Sequence, residues 1–374
     1  DPDMASMIHN EMRKHGIKLV LGYTVEGFKE KDDGVEVLLK DNPSLQADMV
    51  VLAIGVTPDT VLAKEAGLEL GIKESIVVND RMETSVPDIY AAGDAVQVKH
   101  YVTGNDALIS LAGPANKQGR IIADNICGGD SRYLGSQGSS VIKVFDMTAA
   151  TTGINETNAK KSGLEVDTVI LSPMSHAGYY PGGKVMTMKV VFEKETYRLL
   201  GAQIIGYEGV DKRIDVLATA IHAGLKATQL KDLDLAYAPP YSSAKDPVNM
   251  AGFMIDNIAK GTLKQWHLED MDKISKDKSV VLLDVRTVGE FNRGHMDGFR
   301  NIPVDELRER INEIEKGKPV YLICQSGLRS YIASRILEGN GYETYNFSGG
   351  FRFYDAVVND RALIERAYAC GMDY

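Results

Sequence analysis

Cysteine is scarce in this sequence: three residues in 374, at positions 127, 324 and 370. Their spacing makes no pair, which argues against a disulfide scaffold and a zinc site and fits a reducing cytoplasm. No Gly-x-Gly-x-x-Gly loop occurs, so the usual phosphate-cradling turn of a dinucleotide fold is missing. No apolar run approaches the ~20 residues that cross a membrane, and no secretory leader is read at the start. Basic residues number 42 against 52 acidic ones, for a net charge of −10. Basic stripes with interleaved aromatics are also lacking, so nucleic acid and anionic membrane are not expected partners. The length points to two or three domains, and 44% hydrophobic with 25% charged residues is the composition of a globular protein.

What is present centres on Cys324. Val320-Tyr321-Leu322-Ile323 reads as a buried strand, and Tyr331 to Leu337 has helical apolar spacing. Cys324 opens the short loop between them, where free N–H groups converge on a helix N-terminus and stabilise an anion. Gly327 lets the loop curl, and Arg329 adds a positive charge. The Cys-x4-Arg loop is tight and suits a single terminal sulfur better than a tetrahedral phosphate. The expected species is a persulfide on Cys324, cradled by Gln325, Ser326, Gly327, Leu328 and Ser330. The alternative is an inert core cysteine, since free cysteine is often buried. Cys127, at a helix C-terminus ended by glycine, and Cys370 are read as structural.

Leu283-Asp284-Val285-Arg286, then Glu290-Phe291-Asn292-Arg293-Gly294-His295-Met296-Asp297-Gly298, then Asn301-Ile302-Pro303 resemble the rhodanese-domain signature over residues 265 to 374. The resemblance implies Cys324 as the sulfur-accepting nucleophile, with Asp284, Arg286 and His295 holding the fold or walling the pocket. Phe299 stands where that family has a small alanine, which implies altered packing behind the pocket.

The chain opens with Met4 to Gly16, a helical pattern with a glycine stop. Strands are expected at Lys18–Leu21, Val35–Leu39 and Met49–Gly55. Further on, Val86-Pro87-Asp88-Ile89-Tyr90-Ala91-Ala92-Gly93-Asp94-Ala95 resembles the second FAD-binding motif of the pyridine-nucleotide-disulfide oxidoreductases. A short apolar strand would deliver Gly93, where backbone can approach closely, and Asp94, whose carboxylate can accept from a ribityl hydroxyl. The helix start near Ala112 would turn its N–H groups toward the flavin. Gly55 would pass close to a dinucleotide. In that family both glycine-rich loops and the redox-active cysteine lie upstream of such a segment, so the chain is expected to be the truncated C-terminal part of a longer flavoenzyme.

Residues from about 138 to 260 resemble the dimerisation domain of the same family. Val185–Phe192 and Leu199–Gly206 read as a hairpin, and Ile214–Ile221 as an amphipathic helix. Tyr237-Ala238-Pro239-Pro240-Tyr241 to Pro247 is similar to a segment shared by flavin NADH oxidases, peroxidases and coenzyme A disulfide reductases. It implies Pro239 and Pro240 beside a partner subunit's flavin. Ser175 to Gly183 resembles the coenzyme A disulfide reductases more narrowly, and implies Tyr179 and Tyr237 as hydroxyls near the reacting sulfur. Such a phenol can donate to a developing sulfur anion. Tyr180 and Tyr241 are the rival choices, and His176 is read as structural.

The resemblances imply an α/β protein. Residues 1–56 would be a remnant of an NAD(P)-binding Rossmann-like domain and residues 57–137 a returning segment of the FAD-binding domain. Residues 138–262 would form an α+β dimerisation domain and residues 263–374 an α/β rhodanese domain. The expected activity is FAD-dependent, NAD(P)H-driven reduction of coenzyme A disulfide, coenzyme A persulfide or polysulfide by a cytoplasmic homodimer, coupled to a Cys324 persulfide. No metal is expected. An NADH oxidase or peroxidase with an accessory rhodanese, or a sulfurtransferase without flavin, are the alternatives.

Overall fold

Helix α1 (Pro2–Lys14) follows the helical spacing at the start of the chain, with proline in its first turn and basic residues in its last. The computed structural model describes the backbone of residues 1–370 and the side chains of residues 1–364, so the Cys370 thiol lies outside the described residues. Two compact units are built on this chain, one on Val20–Ser139 and the other on Asp1–Leu19 with Ser140–Glu365.

In the unit of residues 20–139, β1 (Val25–Lys31), β2 (Gly34–Leu39) and β3 (Leu45–Ala47) form an antiparallel meander. Helix α2 (Val61–Glu65), the short pair β4 (Val98–Lys99) and β5 (Asp106–Ala107), and helix α3 (Ala112–Ile126) complete it. A small core gathers Met82, Val96 and Val98 under Ile121 and Ile122. Two expected strands are corrected. Residues 18–21 and 49–55 form no strand, and Met49, Val51, Leu52 and Ile54 are 64 to 91% exposed. An apolar parallel strand needs hydrogen-bonded neighbours and cover on both faces, and among the described residues none pairs with these segments. The expected strand before Gly93 shrinks to one bridge between Glu83 and Tyr90.

The other unit carries two sheets. The first is antiparallel, in the order β6 (Ser140–Val144), β7 (Met147–Gly153), β10 (Leu199–Gly206), β9 (Thr187–Glu193) and β8 (Val166–Leu171). Helices α4 (Glu156–Lys161), α5 (Val210–His222) and α6 (Pro247–Ala259) accompany it. The second sheet is wholly parallel, in the order β11 (Gln265–Trp266), β15 (Thr344–Phe347), β14 (Val320–Ile323), β12 (Val281–Asp284) and β13 (Arg300–Asn301). Helices α7 (Met271–Ile274), α8 (Val288–Asn292), α9 (Leu328–Glu338) and α10 (Gly350–Cys370) belong to it.

Strand β14 reads as an unbroken apolar run because both faces of the parallel sheet are covered. Val320 and Leu322 join Leu283, Ala333 and Leu337 in one core. Ile323 points into another, with Trp266, Phe299, Phe347 and Phe353. That second core also takes Met147, Ile170 and Ile205 from the antiparallel sheet and Met4 from α1. Phe299 fills the space that a smaller residue would leave: it is buried and stacks on Trp266 at 6.1 Å.

Candidate functional site

The end of β14 hands the chain to Cys324, which is 1% exposed. Gly327 takes a left-handed φ of 98°, and this turns its N–H back onto the Cys324 Sγ at 3.1 Å. The Ser330 hydroxyl, on the first turn of α9, lies 3.2 Å from the same sulfur and 3.1 Å from the Gly327 carbonyl, so its one proton is shared between the two acceptors. A backbone N–H and a hydroxyl therefore face one sulfur at the N-terminus of a helix, an arrangement suited to holding an anionic sulfur species. The loop is tied down from behind. The N–H of Phe351 donates to the Cys324 carbonyl at 2.8 Å, and that of Arg352 to the Gln325 carbonyl at 3.2 Å. Asn346 Nδ2 donates to the Gly327 carbonyl at 3.2 Å.

The other expected residues of this site divide. Leu328 is 57% exposed and borders the loop without touching the sulfur through a hydrogen bond. Arg329 is committed elsewhere: its guanidinium donates to both oxygens of Glu290 at 2.7 and 2.6 Å. That fork holds the Glu290 carboxyl down to about 2 against the upward push of burial. The positive charge expected beside the sulfur is thus already balanced. Asp284 and Arg286 hold the fold, both buried and joined at 2.6 Å. Arg286 also donates to the Gly294 carbonyl at 2.8 Å and lies 3.8 Å from the centre of the Phe351 ring. His295 is exposed and stacks on Phe291 at 3.9 Å. Cys127 is exposed as well, just beyond the end of α3.

A second constellation lies in the same unit. The hydroxyls of Tyr179 and Tyr237 meet at 2.8 Å, although they come from segments 58 residues apart. The bond to Tyr179 is the main cause that pushes the Tyr237 phenol upward. Tyr180 instead turns its ring edge to His176 at 5.7 Å, and Tyr241 is 73% exposed. His176 is buried and spends Nδ1 on the Ala177 carbonyl at 3.1 Å. Beside the phenols is a cleft of about 490 Å³, lined by Tyr237, Pro240, Tyr241, His176 and Lys212 among others. Pro239 adjoins this lining in the chain.

A buried cluster that the sequence reading missed holds the tyrosine loop. Arg213 is 1% exposed. It donates to Asp246 Oδ2 at 3.0 Å, to the Ser242 hydroxyl at 3.1 Å and to the Ser175 carbonyl at 2.9 Å. Asp246 in turn caps α6 by accepting from the Val248 N–H at 2.9 Å. Asp246-Pro247 is a readable helix start, but its distant arginine is not local information. Glu290 was missed too, though Thr287-x-x-Glu290 is a capping box.

In the unit of residues 20–139, Gly93 donates its N–H to the Gln118 side chain at 2.7 Å, with open space where a Cβ would stand. The Asp94 carboxylate is exposed next to it. Helix α3 starts at Ala112 after an extended Leu111 that offers no side-chain cap. Its first N–H groups are therefore available to an acceptor. Ala95 is tied by its carbonyl to the Ile76 N–H at 2.8 Å. Gly55 sits in the exposed 49–56 segment, with nothing within 4 Å of where a Cβ would stand. An exposed carboxylate, an uncapped helix start and an open glycine suit the hydroxyls and acceptors of a flavin nucleotide.

Three family models match in succession: pyridine nucleotide-disulphide oxidoreductase over residues 1–119, the dimerisation domain of that family over residues 139–247, and a rhodanese-like domain over residues 267–356. The reduced CoADR-RHD of Bacillus anthracis superposes with a TM-score of 0.93 at 46% identity, over 96% of this chain and 64% of that one. An NAD-dependent persulfide reductase from A. fulgidus gives a TM-score of 0.87 at 40% identity, over 95% and 65%. The NAD(P)H sulfur oxidoreductase (CoA-dependent) of Pyrococcus abyssi is 36% identical over 248 residues, 66% of this chain and 55% of that protein. The chain thus spans rather more than half the length of these relatives. It belongs to the pyridine nucleotide-disulphide oxidoreductases, with a rhodanese-like domain after the dimerisation domain.

Proposed function

We propose that the chain serves an FAD-dependent NAD(P)H reductase of coenzyme A disulfide, coenzyme A persulfide or polysulfide, in which Cys324 carries sulfane sulfur as a persulfide. The observation that supports this most is the sulfur cradle itself: one buried Sγ accepts from Gly327 N–H at 3.1 Å and has the Ser330 hydroxyl at 3.2 Å. Thiolate attack on a donor R–S–S⁻ forms the Cys324–S bond and expels R–S⁻, leaving Cys324–S–S⁻ with no net oxidation. The two donors then spread over the carrier's charge. At the other site, the Tyr179 and Tyr237 phenols would donate to the thiolate released when a disulfide or persulfide is reduced.

Asp94, Gly93 and the first N–H groups of α3 would hold FAD, which when bound accepts a hydride from NAD(P)H and delivers two electrons onward. Asp94 would accept from a ribityl hydroxyl, and Ala112 and Gly113 would donate to flavin or phosphate oxygens. The dimerisation domain would form a homodimer, in a compartment reducing enough to regenerate free thiols.

The test uses the holoenzyme with NAD(P)H and three acceptors: polysulfide, coenzyme A disulfide and oxygen. The proposal expects sulfur acceptors to outrun oxygen, and Cys324→Ser to slow polysulfide turnover at least tenfold. A strong preference for oxygen would turn the reading to an NADH oxidase with an accessory rhodanese. Unchanged polysulfide turnover in Cys324→Ser would refute the carrier.

A further inference from the structure

Two arginines lie beside the Cys324 sulfur loop, Arg329 at the start of α9 and Arg286 just beyond β12, and both are already paired. Arg286 is buried against Asp284 with three bonds of 2.6 to 3.1 Å. Arg329 is forked onto Glu290 at 2.6 and 2.7 Å. Glu290 is locked in that position, because its Oε2 also accepts from the Thr287 N–H and hydroxyl at 2.9 Å each. Exposed apolar side chains border this pair: Val288 beside Glu290, and Leu328 and Ile332 on one face of α9, are 43 to 57% exposed, while Arg293 is exposed at the C-terminal end of α8. An inorganic dianion such as thiosulfate arriving at the sulfur would be desolvated with neither Arg286 nor Arg329 free to receive it. A persulfide on an uncharged organic arm brings a single charge and loses less on the same path.

We infer that Glu290 is a specificity-determining residue: by occupying Arg329 it directs Cys324 to organic persulfides and away from small inorganic sulfur anions. This rests on the carrier reading of Cys324. Both donors would load the same atom. From a persulfide the leaving group is R–S⁻. From thiosulfate it is sulfite, by Cys324–S⁻ + S–SO₃²⁻ giving Cys324–S–S⁻ + SO₃²⁻. The second leaving group carries a double charge through the bond-breaking step and the first a single one, so the second gains more from an unpaired guanidinium.

The experiment follows the gain of one sulfur atom on the full chain by intact mass, with N-acetylcysteamine persulfide or thiosulfate as the donor. Wild type should load from the persulfide at least tenfold faster than from thiosulfate. Glu290→Gln keeps a carbonyl oxygen for the Thr287 cap but releases the charge of Arg329. It should raise the ratio of thiosulfate to persulfide loading about tenfold, equivalent to ~1.4 kcal/mol. In the double variant Glu290→Gln with Arg329→Gln the gain should disappear. A wild-type measurement covers the case in which the variants fail to fold: thiosulfate loading should not fall as salt rises, since the arginines beside the sulfur are already paired. Equal loading from both donors, an unchanged ratio in Glu290→Gln, or wild-type loading from thiosulfate that falls with salt would each overturn the assignment. Loading from neither donor would refute the carrier reading itself, and the specificity inference with it.

Discussion

At the scale of single residues, Ser330 does more for Cys324 than the arginine next to it. Its hydroxyl is 3.2 Å from Sγ and is fully buried, whereas the Arg329 guanidinium faces a carboxylate. Ser330→Ala removes one of two donors to the sulfur. Losing a hydrogen bond of that kind costs about 1 kcal/mol, so alkylation of Cys324 at neutral pH should slow roughly five-fold, as iodoacetamide kinetics would register. An equal rate in wild type and variant would remove the hydroxyl from the account. The two phenols allow a different residue-scale test. Tyr179 and Tyr237 share one hydrogen bond, so they act as a unit and their losses should not add. In the holoenzyme, Tyr179→Phe and Tyr237→Phe should each slow disulfide reduction, and the double variant should be little worse than the poorer single one. Additive losses would mean that each hydroxyl works alone.

At the scale of elements, the site is the meeting of three pieces: the end of β14, the start of α9 and the turn into α10. The last of these depends on Gly350. Its φ is +71°, and a Cβ there would stand 2.7 Å from the Gln325 carbonyl oxygen and the Ser326 Cα. Gly350→Ala therefore combines a disfavoured backbone with a clash against the carbonyl side of the cysteine loop. A loss of about 2 kcal/mol or more is expected, measurable by urea unfolding, along with slower sulfur loading. β14, the Cys324 loop and α9 were legible because an apolar run, a glycine and helical spacing lie together in sequence. So were α1, the hairpin of β9 and β10, and α5. Met49–Gly55 misled for the opposite reason: its pattern is that of a buried strand, but strand formation depends on neighbours that local sequence does not specify. The Arg213–Asp246 pair, 33 residues apart, and the return of Phe351 and Arg352 onto the loop carbonyls are likewise products of tertiary packing. The choice of Tyr179 over Tyr180 rested on resemblance alone, because neighbouring tyrosines carry no signal of which way they turn.

At the scale of the molecule, the rhodanese-like and dimerisation sheets are parts of one compact unit with a common core. Their join is polar as well as apolar. The Ile170 N–H donates to the Ser348 hydroxyl at 3.0 Å, His267 Nε2 lies 3.1 Å from Asp167, and Asp360 of α10 meets His9 and Arg13 of α1 at 2.9 and 2.5 Å. Cys324 and the tyrosine pair thus belong to the same compact unit. The join also dictates a response to acid. Burial pushes the Asp167 carboxyl up, but its bond to His267 and the backbone N–H of Thr168 outweigh it and leave the group below its ordinary value. Asp360 is lowered in the same way, with His9 and Arg13 overcoming burial. A carboxyl depressed in the folded state stabilises fully above its unfolded value, near 4, and this contribution is lost as pH falls through the folded value. The thermal midpoint should therefore hold between pH 7 and 5 and drop steeply below about 4. Asp167→Asn and Asp360→Asn should start lower at pH 7 and fall less steeply with acid, because the variant side chains cannot be protonated. If both variants kept the wild-type acid slope, these two carboxylates would not be what couples the sheets to pH.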